Sequence, residues 1–228
     1  DVTFELHRGE IVGLWGLLGS GRTELLRALV GLDPVDVGTL HLSGKRITAR
    51  QLHAHIGLVT EDRRGEGLLL PQSIAENIGL PNLSSLRTRL GLVDGVQQDS
   101  LADRMIARLR IKVSSRQQAV GTLSGGNQQK VVFSRWLATN PLLFLLDEPT
   151  RGLDVSAKTE IMTLIVELAE QGCSVLLVSS ELQELMRVCD RYLIMKRGRI
   201  AQELSGTAST EALMDAISTL DTSRELAA

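Results

Sequence analysis

Apolar residues along the chain fall into two kinds of pattern. Short continuous runs of strand length occur at Ile11 to Trp15, Ile56 to Val59, Leu142 to Leu146, Val175 to Val178 and Tyr192 to Met195. Between several of them the spacing turns helical: Leu25, Leu26, Leu29 and Val30 recur within Thr23 to Val30, and Gln128 to Ala138 and Val155 to Gln171 repeat apolar residues every three or four positions. Strand alternating with helix predicts a largely parallel α/β sheet. Val2 to Leu6 alternates apolar and polar residues, as one more strand would.

Three stretches break this rhythm. Gly38 to Ile47 reads as a small hairpin with Ser43 and Gly44 at its turn, an antiparallel layer beside the main sheet. Ser73 to Val120 has no strand pattern and carries Leu101, Met105, Ile106 and Leu109 at helical spacing between loop-like flanks, which predicts a mostly helical insertion between two halves of the sheet. With the helix that follows, the inserted subdomain extends over about 73 to 138. Ser209 to Ile217 places Leu213, Met214 and Ile217 on one helix face, a docking surface onto the domain.

At 228 residues the chain is read as one domain with an insertion. The formal charge is only -2, with 25 Lys and Arg dispersed among 27 Asp and Glu, so the strong basic excess of a phosphate-backbone binder is missing. No nucleic-acid partner is expected. Apolar stretches fall far short of the roughly 20 residues a membrane helix needs. Cys173 and Cys189 lie in or beside apolar runs without metal-ligand spacing and read as reduced core thiols. The chain starts at Asp1 with no visible signal peptide, which is read as a cut inside a longer polypeptide.

Three segments carry candidate chemistry. "GLLGSGRTELL", from Gly16, follows a predicted strand and leads into a predicted helix. Glycines there let backbone N–H groups close around phosphate oxygens, and the helix N-terminus adds partial positive charge. Gly16, Gly19, Ser20, Gly21, Arg22, Thr23 and Glu24 are the candidate nucleotide contacts; taken alone, the segment fits a simple tight turn equally well. "LLFLLDEPT" delivers Asp147 and Glu148 at the C-terminal edge of a buried strand, where doubly wound sheets place ligands. There Asp147 would hold Mg²⁺ with Thr23, and Glu148 would polarise an attacking water as the catalytic base. "LSGGNQQK" opens a helix, where Ser124 alone would be read as a cap.

These motifs, with "RGLD" after the acidic pair, resemble in order and spacing the nucleotide-binding domain of ATP-binding cassette (ABC) proteins over essentially the whole chain. "GSGRTELLRALVG", "VTEDRRGEGL", "LSGGNQQKVVFSRWL", "DEPTRGLDVSAK" and "VSSELQEL" are similar to the C-terminal cassette of tandem ATPases that power bacterial monosaccharide uptake, of the ribose, galactose and xylose importer type. The resemblance implies a single P-loop NTPase domain over 1–228, with ATP and Mg²⁺ as ligands. It implies that Ser124, Gly125 and Gly126 contact the γ-phosphate bound by a facing domain, and that Asp154 lies in a loop between the cassettes. Implied partners are an N-terminal cassette of the same polypeptide, membrane permease subunits facing the helical insertion and, indirectly, a periplasmic sugar-binding protein. The implied location is peripheral, on the cytoplasmic face of the bacterial inner membrane. The family's adenine-stacking aromatic would precede Asp1.

Three positions depart from a fully active site of that family. Arg22 replaces the loop lysine, trading a compact point charge for a bulkier planar fork. Glu61 stands where a glutamine contacts Mg²⁺ and the attacking water; its carboxylate could ligate the ion while adding negative charge beside the phosphates. Ser180 takes the place of the switch histidine, and all four histidines lie at or before His55. A serine donates one hydrogen bond but carries no positive charge. The expectation is a degenerate site at this chain's own loop, with the isolated domain weak or inactive, and an intact signature segment serving the partner's site. The alternatives are a non-hydrolytic ATP-binding module and a soluble ABC ATPase acting on nucleic acid or ribosomes. Arg63 and Arg64 are read as a solvated turn, with contact to a partner or nucleotide as the alternative.

Overall fold

A computed structural model describes residues 2–222. β1 (Ile11–Trp15) runs into the glycine-rich loop and α1 (Arg22–Leu29), followed by β2 (Leu40–Leu42), β3 (Lys45–Ile47), α2 (Ala49–His53) and β4 (Ile56–Val59). α3 (Ile74–Gly79), α4 (Gly95–Arg108) and α5 (Gly125–Leu137) come next. The chain then returns to the sheet through β5 (Leu143–Asp147), α6 (Val155–Glu170), β6 (Ser174–Val178), α7 (Leu182–Val188), β7 (Arg191–Lys196), β8 (Arg199–Ser205) and α8 (Thr210–Thr222).

The main sheet has the order β4-β5-β6-β1-β7-β8, with every pair parallel except the antiparallel β7 and β8. Its parallel strands are buried on both faces, which explains why they read as unbroken apolar runs. Val175 and Leu177 of β6 join a core that includes Phe133, Phe144, Ile161 and Ile165, while Leu176 and Val178 join a second core with Leu14, Leu26 and Leu145. Ile74, Ile78, Leu101 and Met105 from α3 and α4 belong to the first core, so this helical region packs continuously with α5 and α6. The predicted hairpin is present as β2 and β3, with Ser43 and Gly44 both at positive φ, the backbone that a tight two-residue turn of this hand requires.

Several expectations are revised. Val2 to Leu6 alternates in burial, with Val2, Phe4 and Leu6 against the second core, but lies in no strand. The alternation therefore records one packed face without ladder partners. β8 escapes the sequence reading because this edge strand is mostly exposed, with only Ile200 and Leu204 half-buried. In α8 Leu213 is fully buried and Ile217 packs against the core, whereas Met214 is 54% exposed, turned off the docking face by its neighbouring position on the helix.

Parallel strands share one C-terminal edge. The segments following β1, β4, β5 and β6 therefore bring Gly16 to Thr23, Glu61, Asp147 with Glu148, and Ser180 to the same side of the sheet.

Candidate nucleotide site

The loop between β1 and α1 is shaped by close approach. A side chain at Gly16 would strike the Met195 carbonyl oxygen, and Gly21 caps α1 at φ +99, a conformation that favours glycine. The Ser20 N–H donates to Leu17 O at 3.0 Å and the Gly198 N–H donates to Ser20 O at 2.8 Å, so the β7–β8 turn braces the loop from behind. No side chain caps α1. Its first-turn N–H groups thus present partial positive charge at the loop without a side-chain cap. Ser20 Oγ and Arg22 Nη1 are both buried without a hydrogen-bond partner. Buried polar atoms are rarely left unpaired, and two in one glycine-rich loop fit a polar anionic ligand. Glu24 is exposed on the first turn of α1.

Asp147 ends β5 at 4% exposure. Burial pushes its carboxyl above the usual range, aided by the charges of Glu148 and Glu24 and opposed by a hydrogen bond from Thr23 and the charge of Arg22. The Thr23 hydroxyl and the Asp147 carboxylate together make a hard oxygen pair of the kind that holds a magnesium ion whose other ligands are phosphate oxygens and water. Among the described residues no group of three or more His, Cys, Asp or Glu could hold a metal by itself. Such a cation would depend on the nucleotide.

Glu148 has φ 48, left-handed and costly for a glutamate, so the chain turns sharply as it leaves β5. The Ser180 hydroxyl donates to its carboxylate at 3.0 Å. Beneath them lies a carboxylate that the sequence reading missed. Glu184, 8% exposed on α7, accepts from Thr150 Oγ1 and from Ser179 Oγ, each at 2.7 Å, and pairs with Lys158 at 3.3 Å. It ties the segment bearing Glu148 to the segment bearing Ser180.

Glu61 is exposed and forms an ion pair with Arg151. The solvated-turn reading of Arg63 is corrected. Arg63 opens a π-helical turn, Arg63–Gly67, that rolls its side chain onto α5, where Nη1 lies 3.5 Å from Gln129 Oε1. Burial lowers its pKa, the Arg64 charge adding to the effect, while Arg64 itself is exposed.

Ser124, Gly125 and Gly126 begin α5, surrounded by Arg63, Asn127, Leu153 and Ala157. Ser124 does not cap the helix with its side chain. A Cβ on Gly126 would lie 2.8 Å from the Ala157 Cβ, so close packing on α6 requires this glycine irrespective of any ligand. Asp154 caps α6, accepting from the Ala157 N–H at 2.9 Å.

A parallel sheet with a glycine-rich loop at the start of α1 and an acidic strand end beside it defines a P-loop nucleotide-binding fold. The ABC transporter family model matches residues 1–151, and the chain belongs to that family. It is 47% identical to the ribose import ATP-binding protein RbsA 2 of Streptomyces coelicolor over 92% of this chain and 41% of that protein. It is 46% identical to the ribose import ATP-binding protein RbsA of Bacillus subtilis over 92% of this chain and 43% of that protein. The chain thus spans less than half the length of these relatives. Among solved structures, a dimeric ATP-binding cassette in a post-hydrolysis state bound to ADP and Pi superposes with a TM-score of 0.77 at 24% identity, covering 92% of this chain and 90% of that one. Among the described residues no helix is long and apolar enough to cross a membrane.

Proposed function

We propose that this chain is an ATP-binding cassette of a bacterial monosaccharide importer, the second of two in its polypeptide, with a degenerate site of its own and an intact signature segment that serves the other. The observation that carries ATP binding is the pair of buried, unpartnered polar atoms in the loop, Ser20 Oγ and Arg22 Nη1, at the uncapped N-terminus of α1. The likeness to ribose import ATP-binding proteins supports sugar import. The share of those proteins that this chain covers supports one cassette of two.

The loop N–H groups from Gly19 to Thr23 cradle the phosphates, with Gly16 allowing the close turn and Arg22 supplying charge. Thr23 and Asp147 would hold Mg²⁺, which would neutralise phosphate charge when bound. Glu148 is the base that orients water, and Glu61, paired with Arg151, is a further candidate ligand for the ion. Turnover here is slow for three reasons. Arginine does not reproduce the lysine geometry, Ser180 brings no positive charge to the γ-phosphate, and its hydroxyl occupies the Glu148 carboxylate. Ser124, Gly125 and Gly126 complete the site of the facing cassette. The domain covers 1–228, with 73–138 as the helical subdomain directed at the permease. The assembly sits peripherally on the cytoplasmic face of the inner membrane and receives sugar from a periplasmic binding protein.

Calorimetric titration of this chain with Mg²⁺-ATP tests the loop. Saturable binding is expected, weakened at least about tenfold by Arg22→Ala and by Thr23→Ala, since each removes a charge-assisted contact. Binding of equal strength in both variants would overturn the assignment.

A further inference from the structure

We propose that Asn127 is a positioning residue that aims the Ser124 hydroxyl outward, as a hydrogen-bond donor to the terminal phosphate of a nucleotide held by the facing cassette. The proposal rests on the reading that Ser124 serves such a site. Ser124 stands at the N-cap of α5, yet its Oγ receives no bond from the first-turn N–H groups. Asn127 Nδ2 donates to it instead, at 3.0 Å. The amide is held in that orientation because its other end, Oδ1, accepts from the Lys112 N–H at 2.9 Å.

A serine hydroxyl has one proton and two lone pairs. An N–H donor pointed at the oxygen engages a lone pair and leaves the proton to point elsewhere. Ser124 is exposed, so the proton faces the open side, in front of the uncapped start of a 13-residue helix. The hydroxyl proton and the helix N–H groups therefore converge on the same space, an arrangement that suits an anion. An aspartate at position 127 would do the opposite, accepting the serine proton and turning it inward.

Asn127 also joins the segment after α4 to α5, and that joint has a second support, since Lys130 Nζ lies 3.4 Å from Arg110 O one turn further along the helix. The two roles of Asn127 are therefore separable. Asn127→Asp keeps an acceptor for the Lys112 N–H, loses the donor to Ser124 and adds a negative charge, whose own effect is the same in the Ser124→Ala background. A merely structural staple would tolerate that change.

The experiment compares steady-state Mg²⁺-ATP turnover of the complete two-cassette polypeptide for the wild type, Asn127→Asp, Ser124→Ala and the double variant, with thermal midpoints alongside. Ser124→Ala and Asn127→Asp are each expected to lower kcat by about tenfold or more, with unchanged midpoints. In the Ser124→Ala background the aspartate is expected to cost a much smaller factor, because no hydroxyl remains to be misdirected. If Asn127→Asp fails to fold, Asn127→Ala replaces it, with a loss of about threefold expected that vanishes in the Ser124→Ala background. Wild-type turnover in Asn127→Asp, with Ser124→Ala impaired, would overturn the proposal and leave the underlying reading intact. Independent multiplication of the two losses would also overturn it. Wild-type turnover in Ser124→Ala would overturn both.

Discussion

Asp147 carries its charge where charge is disfavoured. Burial at the end of β5, with Glu148 and Glu24 nearby, raises its pKa despite the Thr23 hydrogen bond and Arg22. An acid whose folded pKa lies above its unfolded value stabilises the native state at pH below the unfolded pKa, and that contribution is lost as pH rises through the folded pKa. At neutral pH the ionised group weighs against folding when no cation neutralises it. Asp147→Asn, which can still accept from Thr23, should therefore raise the nucleotide-free thermal midpoint at pH 7 by about 2–4 °C. The gain should shrink as the pH falls from 7 towards about 4 and the wild-type acid takes up its proton. Scanning calorimetry at both pH values checks this, and a lower midpoint at pH 7 would mean that the carboxylate is favourably paired. The same variant should lose the Mg²⁺ dependence of ATP binding. Asp147 and the loop glycines are legible in the sequence because their chemistry is local, a strand end and backbone turns such as Gly21 at φ +99. Arg151 on Glu61 and Asn127 on Lys112 are not, since each pair joins segments that only the fold brings together.

Glu184 shows how elements, not neighbouring residues, hold the site. Its carboxylate gathers hydroxyls from Thr150, after β5, and Ser179, after β6, and an ammonium from Lys158 on α6. Removing it would leave the Thr150 and Ser179 hydroxyls buried without this acceptor, while Lys158 would keep its ion pair with Glu181. Glu184→Ala should destabilise the domain by about 2–4 kcal/mol, lowering the midpoint by about 4–16 °C. Glu184→Gln, which retains an acceptor oxygen, should lose less. Equal midpoints for the alanine variant and the wild type in thermal unfolding would show that the hub contributes nothing. In the sequence Glu184 looks like one more polar residue of an amphipathic helix, because nothing within α7 signals that two strand ends converge on it. The strands themselves are legible wherever both faces are buried. Where one face meets solvent, as in β8, or where burial alternates without a ladder, as in Val2 to Leu6, the apolar pattern misleads.

At the scale of the molecule, one edge of a parallel sheet gathers the phosphate loop, the acidic strand end and the Ser180 segment, while the signature segment sits on α5 beside Arg63 and Leu153. Fold and family follow from this arrangement and from the match over residues 1–151. The proposed division of labour has this chain's loop binding nucleotide with little turnover while its signature segment supports hydrolysis opposite. The most direct measurement is Mg²⁺-ATP turnover by the complete two-cassette polypeptide, comparing Ser124→Ala with Glu148→Gln. A loss of at least about tenfold is expected for Ser124→Ala and a change within about twofold for Glu148→Gln. A polypeptide disabled by Glu148→Gln and indifferent to Ser124→Ala would contradict it.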